Sequence, residues 1–403
     1  MLSRLPIRGY ERVDLTFGTG NGKLTFGDNE GFSNPLYVTA IQDVRKKEGE
    51  ESFTLALSSL ENLMNETTRC QKKYAKANIS AHVADILQDP NIFNISKEEF
   101  NERVEIEDCS TPYSFIGNNR KPFYILSWLC PKAQPLREGK AGGTSGFFFY
   151  ETYDGYKFKS VDGLLAQTGE LESKKVQSKQ SPTRAIETYT GSSLIDSAPN
   201  PENNFQILSY MMDSATNLQK NLRVGLYSNL TTTVNPLNWK VENNTFKLKD
   251  QVNGSDGTST MGVETPIPTS DVFGDEPSRR LVRITDHGMI DKDLKKDDDG
   301  EALTSGRDPQ DMAKSFSRYS LLFQQSLNIT IPCNNEIRVG QVVKVVLPDV
   351  GPSEQGDGGK DQKQADQELS GIYLVRAMRH HFELGDGKNV TSLNLVRDSY
   401  GLN

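Results

Sequence analysis

Gln341-Val-Val-Lys-Val-Val-Leu347, Gly371-Ile-Tyr-Leu-Val375 and Ser392-Leu-Asn-Leu-Val396 are the stretches that decide the fold. The first is apolar on both faces, as in a strand covered twice, and the other two are short runs rich in β-branched residues, tyrosine and leucine. Just upstream, Leu327, Ile329 and Ile331 alternate with period two. Ahead of them Met312, Phe316, Tyr319 and Phe323 recur at helical spacing after Asp308-Pro309, where Asp suits an N-cap and Pro the first turn. Residues 307–403 thus read as one helix backing an antiparallel barrel. A polar loop, 351–367, stands between two of its strands where a tight turn would suffice; such an extension is either disordered or a partner contact.

Working outward, the remaining chain divides by composition. Residues 1–69 carry a second alternating set (Val13, Leu15, Phe17; Leu24, Phe26; Leu36, Val38; Phe53, Leu55, Leu57) and read as a small barrel. Residues 70–204 read as a mixed α/β domain: helices over 79–87, 94–104 and 121–129, then a hairpin, 147–159, turning at Asp154-Gly155. Within 205–250 the pattern suggests a helix over 213–222 and strands over 223–234 and 239–248, contributing to a barrel or a junction. Residues 251–306 turn to Asp, Gly, Ser and Thr, an acidic excursion with little core of its own. The fold class expected is α+β, mainly β, with two tube-like antiparallel barrels around a mixed domain.

A formal net charge of −8 argues against a protein that neutralises phosphates, since no basic stripe is present. Cys70, Cys109, Cys130 and Cys333 lack the paired spacing of zinc sites and read as reduced thiols. No apolar run reaches the length of a membrane span.

Each motif that invites chemistry has a plainer reading. Gly18-Thr-Gly-Asn-Gly22 follows a strand, but Lys23-Leu-Thr-Phe26 continues as strand where a dinucleotide cradle needs a helix N-terminus. Gly143-Thr-Ser-Gly146 has Phe147 where a nucleophile elbow needs glycine. Lys295-Lys-Asp-Asp-Asp-Gly300 resembles a calcium loop, yet Lys295 and Gly306 occupy its two end ligand positions. Glu105 and Glu107 would share one strand face, from which a glycosidase pair could be assembled; a solvent face explains them more simply. His380 and His381 point to opposite faces of a strand and cannot chelate one ion. No catalytic, cofactor-binding or metal set emerges.

Three blocks together resemble the central baseplate hub of contractile-tailed phages, the family that includes late control proteins and the hub portion of type VI secretion spikes. The first is Leu5-Pro-Ile-Arg-Gly-Tyr-Glu-Arg-Val-Asp-Leu-Thr-Phe17, with Gly9 and Glu11. The second is Leu60-Glu-Asn-Leu-Met-Asn65, with Glu61, Asn65, Arg69 and Tyr74. The third is Gly371-Ile-Tyr-Leu-Val375 with Tyr373, His380, Phe382 and the closing Leu395-Val-Arg-Asp-Ser-Tyr-Gly401, which holds Arg397. The resemblance implies a non-enzymatic virion protein of the tail baseplate, assembled in the host cytoplasm. It implies a homotrimer whose paired barrels adapt a sixfold tail tube above to a threefold central spike below, around the DNA channel, among other baseplate proteins. Neither sequence-specific nucleic acid binding nor a membrane span is expected. Gly351, Glu354, Asp357 and Lys360 in the long loop become candidates for contact between subunits. Hub proteins carry a pair of strands before the Leu5-Pro-Ile-like segment, so the first barrel is expected to lack its opening strands unless another chain, or a longer form of this one, supplies them. Two other functions are compatible with the residues: a tail-associated cell-wall hydrolase using Glu105 and Glu107, and a carbohydrate-binding adhesin using 251–306.

Overall fold

The computed structural model describes residues 6–19, 22–28, 33–75, 77–137, 140–141, 146–165, 186–191, 194, 205–214, 217–234, 239, 241–253, 260–262, 276–284, 309–349, 354–355, 361–362, 364–385, 387 and 389–401. The chain is α+β and mainly β.

The C-terminal sheet runs in the order Gln206–Ile207, Glu187–Gly191, Val342–Val346, Gly371–His381, Val390–Arg397, Gln325–Pro332, Ser209–Ser214. Its two ends are one continuous stretch of chain: Gln206–Ile207 pairs with Glu187–Gly191, and after a corner at Leu208 the same segment pairs with Gln325–Pro332. At that corner Leu208 N donates to Thr330 O at 2.8 Å. The sheet therefore closes on itself. Pairing is antiparallel except along Glu187–Gly191, which lies parallel to both neighbours. Period-two alternation sends Leu327, Ile329, Ile331, Val343, Val345, Tyr373, Val375, Leu393 and Leu395 into the interior, where they pack with Tyr189 and Ile207. Each such aliphatic, taken out of water, contributes about 1.5–3 kcal/mol. The interior is filled with buried side chains.

The opposite face of the same strands explains the doubly apolar run at 341–347. Val342, Ile372, Leu374 and Val396 point outward under Val161, Leu164, Leu165 and Leu322. The helix Pro309–Leu322 and the middle domain cover this half of the barrel.

The middle domain is built from neighbours in sequence. Ile79, Val83, Ile86 and Leu87 bury one face of the helix Ile79–Gln88 against Leu126 and Leu129 of Pro122–Leu129 and Phe147 and Phe158 of the hairpin Phe147–Thr152/Gly155–Ser160. Lys97–Arg103 is capped by Ser96, whose Oγ accepts from Glu99 N at 3.2 Å.

The N-terminal region is an open sheet, Arg12–Val13, Leu36–Lys47 and Glu50–Ser58, beside the separate hairpin Leu15–Thr19/Gly22–Phe26. The hairpin docks on the far end of the barrel: Phe17 stacks on Phe382 with ring centres 4.6 Å apart, and Asn335 Nδ2 donates to Gly22 O at 3.0 Å.

One sequence expectation needs correction. The helix expected over 213–222 is confined to Leu218–Val224, and Ser209–Ser214 is instead the barrel's closing strand. Asn217 caps that helix through Lys220 N at 2.9 Å, and Gly225, at φ +73°, ends it, so the helix runs between these signals. The excursion 251–306, for its part, supplies Arg279–Ile284, which joins Ser228–Val234 and Val241–Lys247 in a three-stranded sheet packed by Phe246, Ala313 and Leu321.

Three separate parts meet at one buried arginine. Arg318, on Pro309–Leu322, donates from Nη1 to Asp398 Oδ2 at 2.7 Å, just past the last barrel strand, and its Nη2 lies 3.5 Å from Asp162 Oδ1 of the middle domain. All three side chains are almost fully buried. Asp398 Oδ1 also accepts from Met261 N at 2.9 Å and Ser399 Oγ at 2.7 Å. Removing the cation strands two carboxylates in a dry site, so Arg318→Ala is expected to cost about 3–5 kcal/mol of folding stability. Urea denaturation of variant and parent measures it.

Candidate functional site

The positions singled out by the hub-like blocks fall at structural corners. Glu11 accepts from the backbone N–H of Arg8 and Gly9 at 2.6 and 2.8 Å, which holds the turn that delivers Arg12–Val13 to its strand partner. The Arg8 amide above all, offsetting a small burial effect, keeps this carboxyl below its ordinary pKa. Gly9 sits at φ +115°, where a side chain would be strained. Buried Asn65, on the helix Leu60–Thr67, accepts from Phe123 N at 2.9 Å and so caps the first turn of Pro122–Leu129 from outside that helix. Arg69 closes the other end of Leu60–Thr67 on the carbonyls of Glu66 and Thr68. Tyr74 stacks on Phe115 inside the middle-domain core, ring centres 4.7 Å apart.

The third block is organised by Arg397. Its buried guanidinium donates to the carbonyls of Glu368 and Ser370 at 3.2 and 3.0 Å and to Gly401 O, and it lies over the ring of Tyr373 at 5.3 Å. Gly371 makes room for it: at φ +140°, a Cβ there would stand 2.6 Å from Arg397 Nη2. Tyr373 in turn donates to Leu369 O at 2.6 Å.

His380 is half-buried, its Nδ1 2.8 Å from Thr391 Oγ1, and His381 is exposed on the other face. Burial, then the nearby Arg338 charge, lowers the His380 pKa. His380 also lines a cavity of about 770 Å³ where the N-terminal sheet, the middle domain and the barrel meet, with Leu24, Leu36, Met64, Phe93 and Met378 among its walls. Glu61 belongs to the same wall, 3.7 Å from Arg103, which binds Glu99 at 2.5 Å.

Glu105 and Glu107 are not brought to that cavity. Burial alone would raise the Glu105 pKa, but Lys157 at 2.7 Å and Lys159 at 3.1 Å outweigh it and hold the carboxyl below its usual range. Glu107 is buried and raised by that burial, and it accepts from Ser160 N and Oγ at 2.8 and 2.7 Å. Both carboxylates are committed within the middle domain. One perturbed group left no signal in the sequence: Lys132, its amine 3.6 Å over the Trp128 ring centre and donating to Trp128 O at 3.0 Å, is lowered to about 7 by burial and then by Arg283.

Among the described residues no group of three or more His, Cys, Asp or Glu side chains could hold a metal ion, and no helix is long and apolar enough to cross a membrane. The four cysteines are buried free thiols. Of the long-loop candidates, Gly351, Asp357 and Lys360 lie outside the described residues; the backbone of Glu354 pairs with Gln362. The segments Thr144–Ser145 and Lys295–Gly300 also lie outside them.

No family model matches the chain, and no curated protein sequence matches it. Among solved structures it is similar to the tail protein from Neisseria meningitidis MC58, with 10% identity and a TM-score of 0.46 over 90% of this chain and 80% of that one.

Because the folded-state pKa of Glu105 is depressed, its contribution to stability is present above the ordinary carboxylate range and is lost as pH falls through the lowered value. Glu105→Gln removes this acid-side loss. The stability gap between parent and variant, largest near neutrality, is expected to shrink towards about pH 3 in urea melts run across pH.

Proposed function

We propose that this chain is a structural component of a contractile phage tail, the central hub of its baseplate, working as a homotrimer between tail tube and spike rather than as an enzyme. The observation that carries the reading is the division of labour on the barrel. Its interior is packed solid. One half of its outer face is covered by the chain's own helix and middle domain. The other half presents polar side chains: Asn394 Nδ2 donates to Ser326 Oγ at 3.2 Å and to Asn328 Oδ1 at 2.7 Å, Asn328 Nδ2 donates to Asp213 Oδ2 at 2.6 Å, and exposed Arg379 stands opposite Ser392. In a ring of such barrels a channel would lie between copies, against outer faces of this kind.

Most positions shared with the hub-like blocks support the same reading, because Gly9, Glu11, Asn65, Arg69, Tyr74, Gly371, Tyr373 and Arg397 are spent on corners, caps or core contacts. The open N-terminal sheet fits a barrel completed by another chain: Glu50–Ser58 has a strand partner on one edge only among the described residues. In this reading the protein resides in the virion, beside tube, spike and other baseplate proteins.

Size-exclusion chromatography with light scattering tests the assembly. The expected mass is three times the 44.9 kDa of one chain. A particle that stays monomeric at every concentration, together with a tail-tip image lacking a threefold density of this shape, would overturn the proposal.

A further inference from the structure

The cavity of about 770 Å³ at the junction of the N-terminal sheet, the middle domain and the barrel has no part in the roles argued above. Cavities of about 300–1,000 Å³ enclose small organic molecules. Its walls are mixed. Leu24, Leu36, Met64, Phe93 and Met378 give it an apolar lining, and its fixed charges are those of Arg12, Arg103 and Arg338 and of Glu61, Glu99 and Glu151. With arginines and glutamates balanced, pairing decides which sign is left for a guest.

Each arginine is already matched. Arg12 lies 2.9 Å from Asp14 and 2.7 Å from Asp28, both behind the wall. Arg338 lies 3.0 Å from Asp154 and donates to Asn335 O at 2.6 Å. Arg103 is taken by Glu99 at 2.5 Å. Two carboxylates are left short of positive charge. Glu61 reaches Arg103 only at 3.7 Å, too far for a hydrogen bond. Glu151 accepts from the neutral hydroxyl of Ser59 at 3.1 Å and makes no salt bridge among the described residues. It is exposed to the cavity yet flanked by its walls; that desolvation, then the like charge of Glu61, raises its pKa. From the barrel side His380 contributes a buried Nε2 with no hydrogen-bond partner, a second sign that the guest is polar in part.

The cation that suits this wall is organic. A calcium-like ion needs six or more oxygen ligands, and no third carboxylate, histidine or cysteine joins Glu61 and Glu151 around one point. An ammonium group needs only two or three acceptors, and the body that carries it can cover the apolar lining.

We propose that the junction cavity binds a small organic ammonium ion, with its charge at Glu61 and Glu151 and its apolar body against the aliphatic and aromatic walls. The proposal is independent of the hub reading.

The test uses the full chain and two probes of matched shape and opposite charge, 2-phenylethylammonium and 3-phenylpropionate, titrated by calorimetry at neutral pH. The ammonium is expected to bind at least about tenfold more tightly. Glu61→Gln and Glu151→Gln keep the shape of the wall and remove its charge, and each is expected to weaken the ammonium by at least about fivefold without weakening the carboxylate. Ring-current shifts in the methyl signals of Met64 and Met378 place the probe in the cavity. No binding, equal binding of the two probes, indifference to both variants, or methyl shifts that spare Met64 and Met378 overturns the proposal. So does a fall of oligomeric mass in either variant by light scattering, which would make the cation a lysine or arginine of a second chain. The comparison of the two probes is made on the unaltered chain and stands even where a variant fails to fold.

Discussion

Arg318 is the constraint on which the relative placement of the parts rests. A charge in a dry site must be met by opposite charge at short range, and here the two carboxylates come from different bodies, Asp162 and Asp398. Hydrophobic burial brings the helix, the middle domain and the barrel together without specifying their angle. A buried guanidinium with directional donors admits few arrangements, because a small rotation unpairs at least one carboxylate. The chain's C-terminal turn is held by the same logic: Arg397, one residue before Asp398, gathers three carbonyls on its other side.

The barrel is thereby fixed as a solid element with one face to its own chain and one to the surroundings. Filling the interior removes any pocket that could bind a substrate there, and closing the sheet removes its edges. What remains available is outer surface.

Much of this was legible in the sequence because it is local. Alternation marks Leu327, Ile329 and Ile331, helical spacing marks Ile79, Val83 and Ile86, and Asp154-Gly155 marks its hairpin. The misread segment shows the limit. Residues 209–214 have no clean alternation, since Tyr210, Met211 and Met212 run together, and only pairing with Gln325–Pro332 makes them a strand. Nor does any local pattern say that Glu187–Gly191 lies parallel beside Val342–Val346, or that Arg318 meets Asp162. Candidate sites divided the same way. The hub-like positions could be picked out by their neighbours in sequence, whereas the junction cavity and the lysine over Trp128 exist only once distant segments have come together.

The single segment that closes the barrel at both ends also sets an order of events. The middle-domain core draws its buried residues from Cys70 to Phe158, so it needs only contacts that are short in sequence. The barrel core reaches from Tyr189 to Leu395, and its seam cannot close until Val390–Arg397 is available to hold Gln325–Pro332. Loop-closure entropy makes such a seam slow, and synthesis proceeds from the N-terminus. During that interval Gln325–Pro332 and Gly371–His381 lack the strand that lies between them, and each is exposed to any other β-edge nearby. A newly made chain is therefore most open to pairing with other polypeptides just before its own last strand arrives.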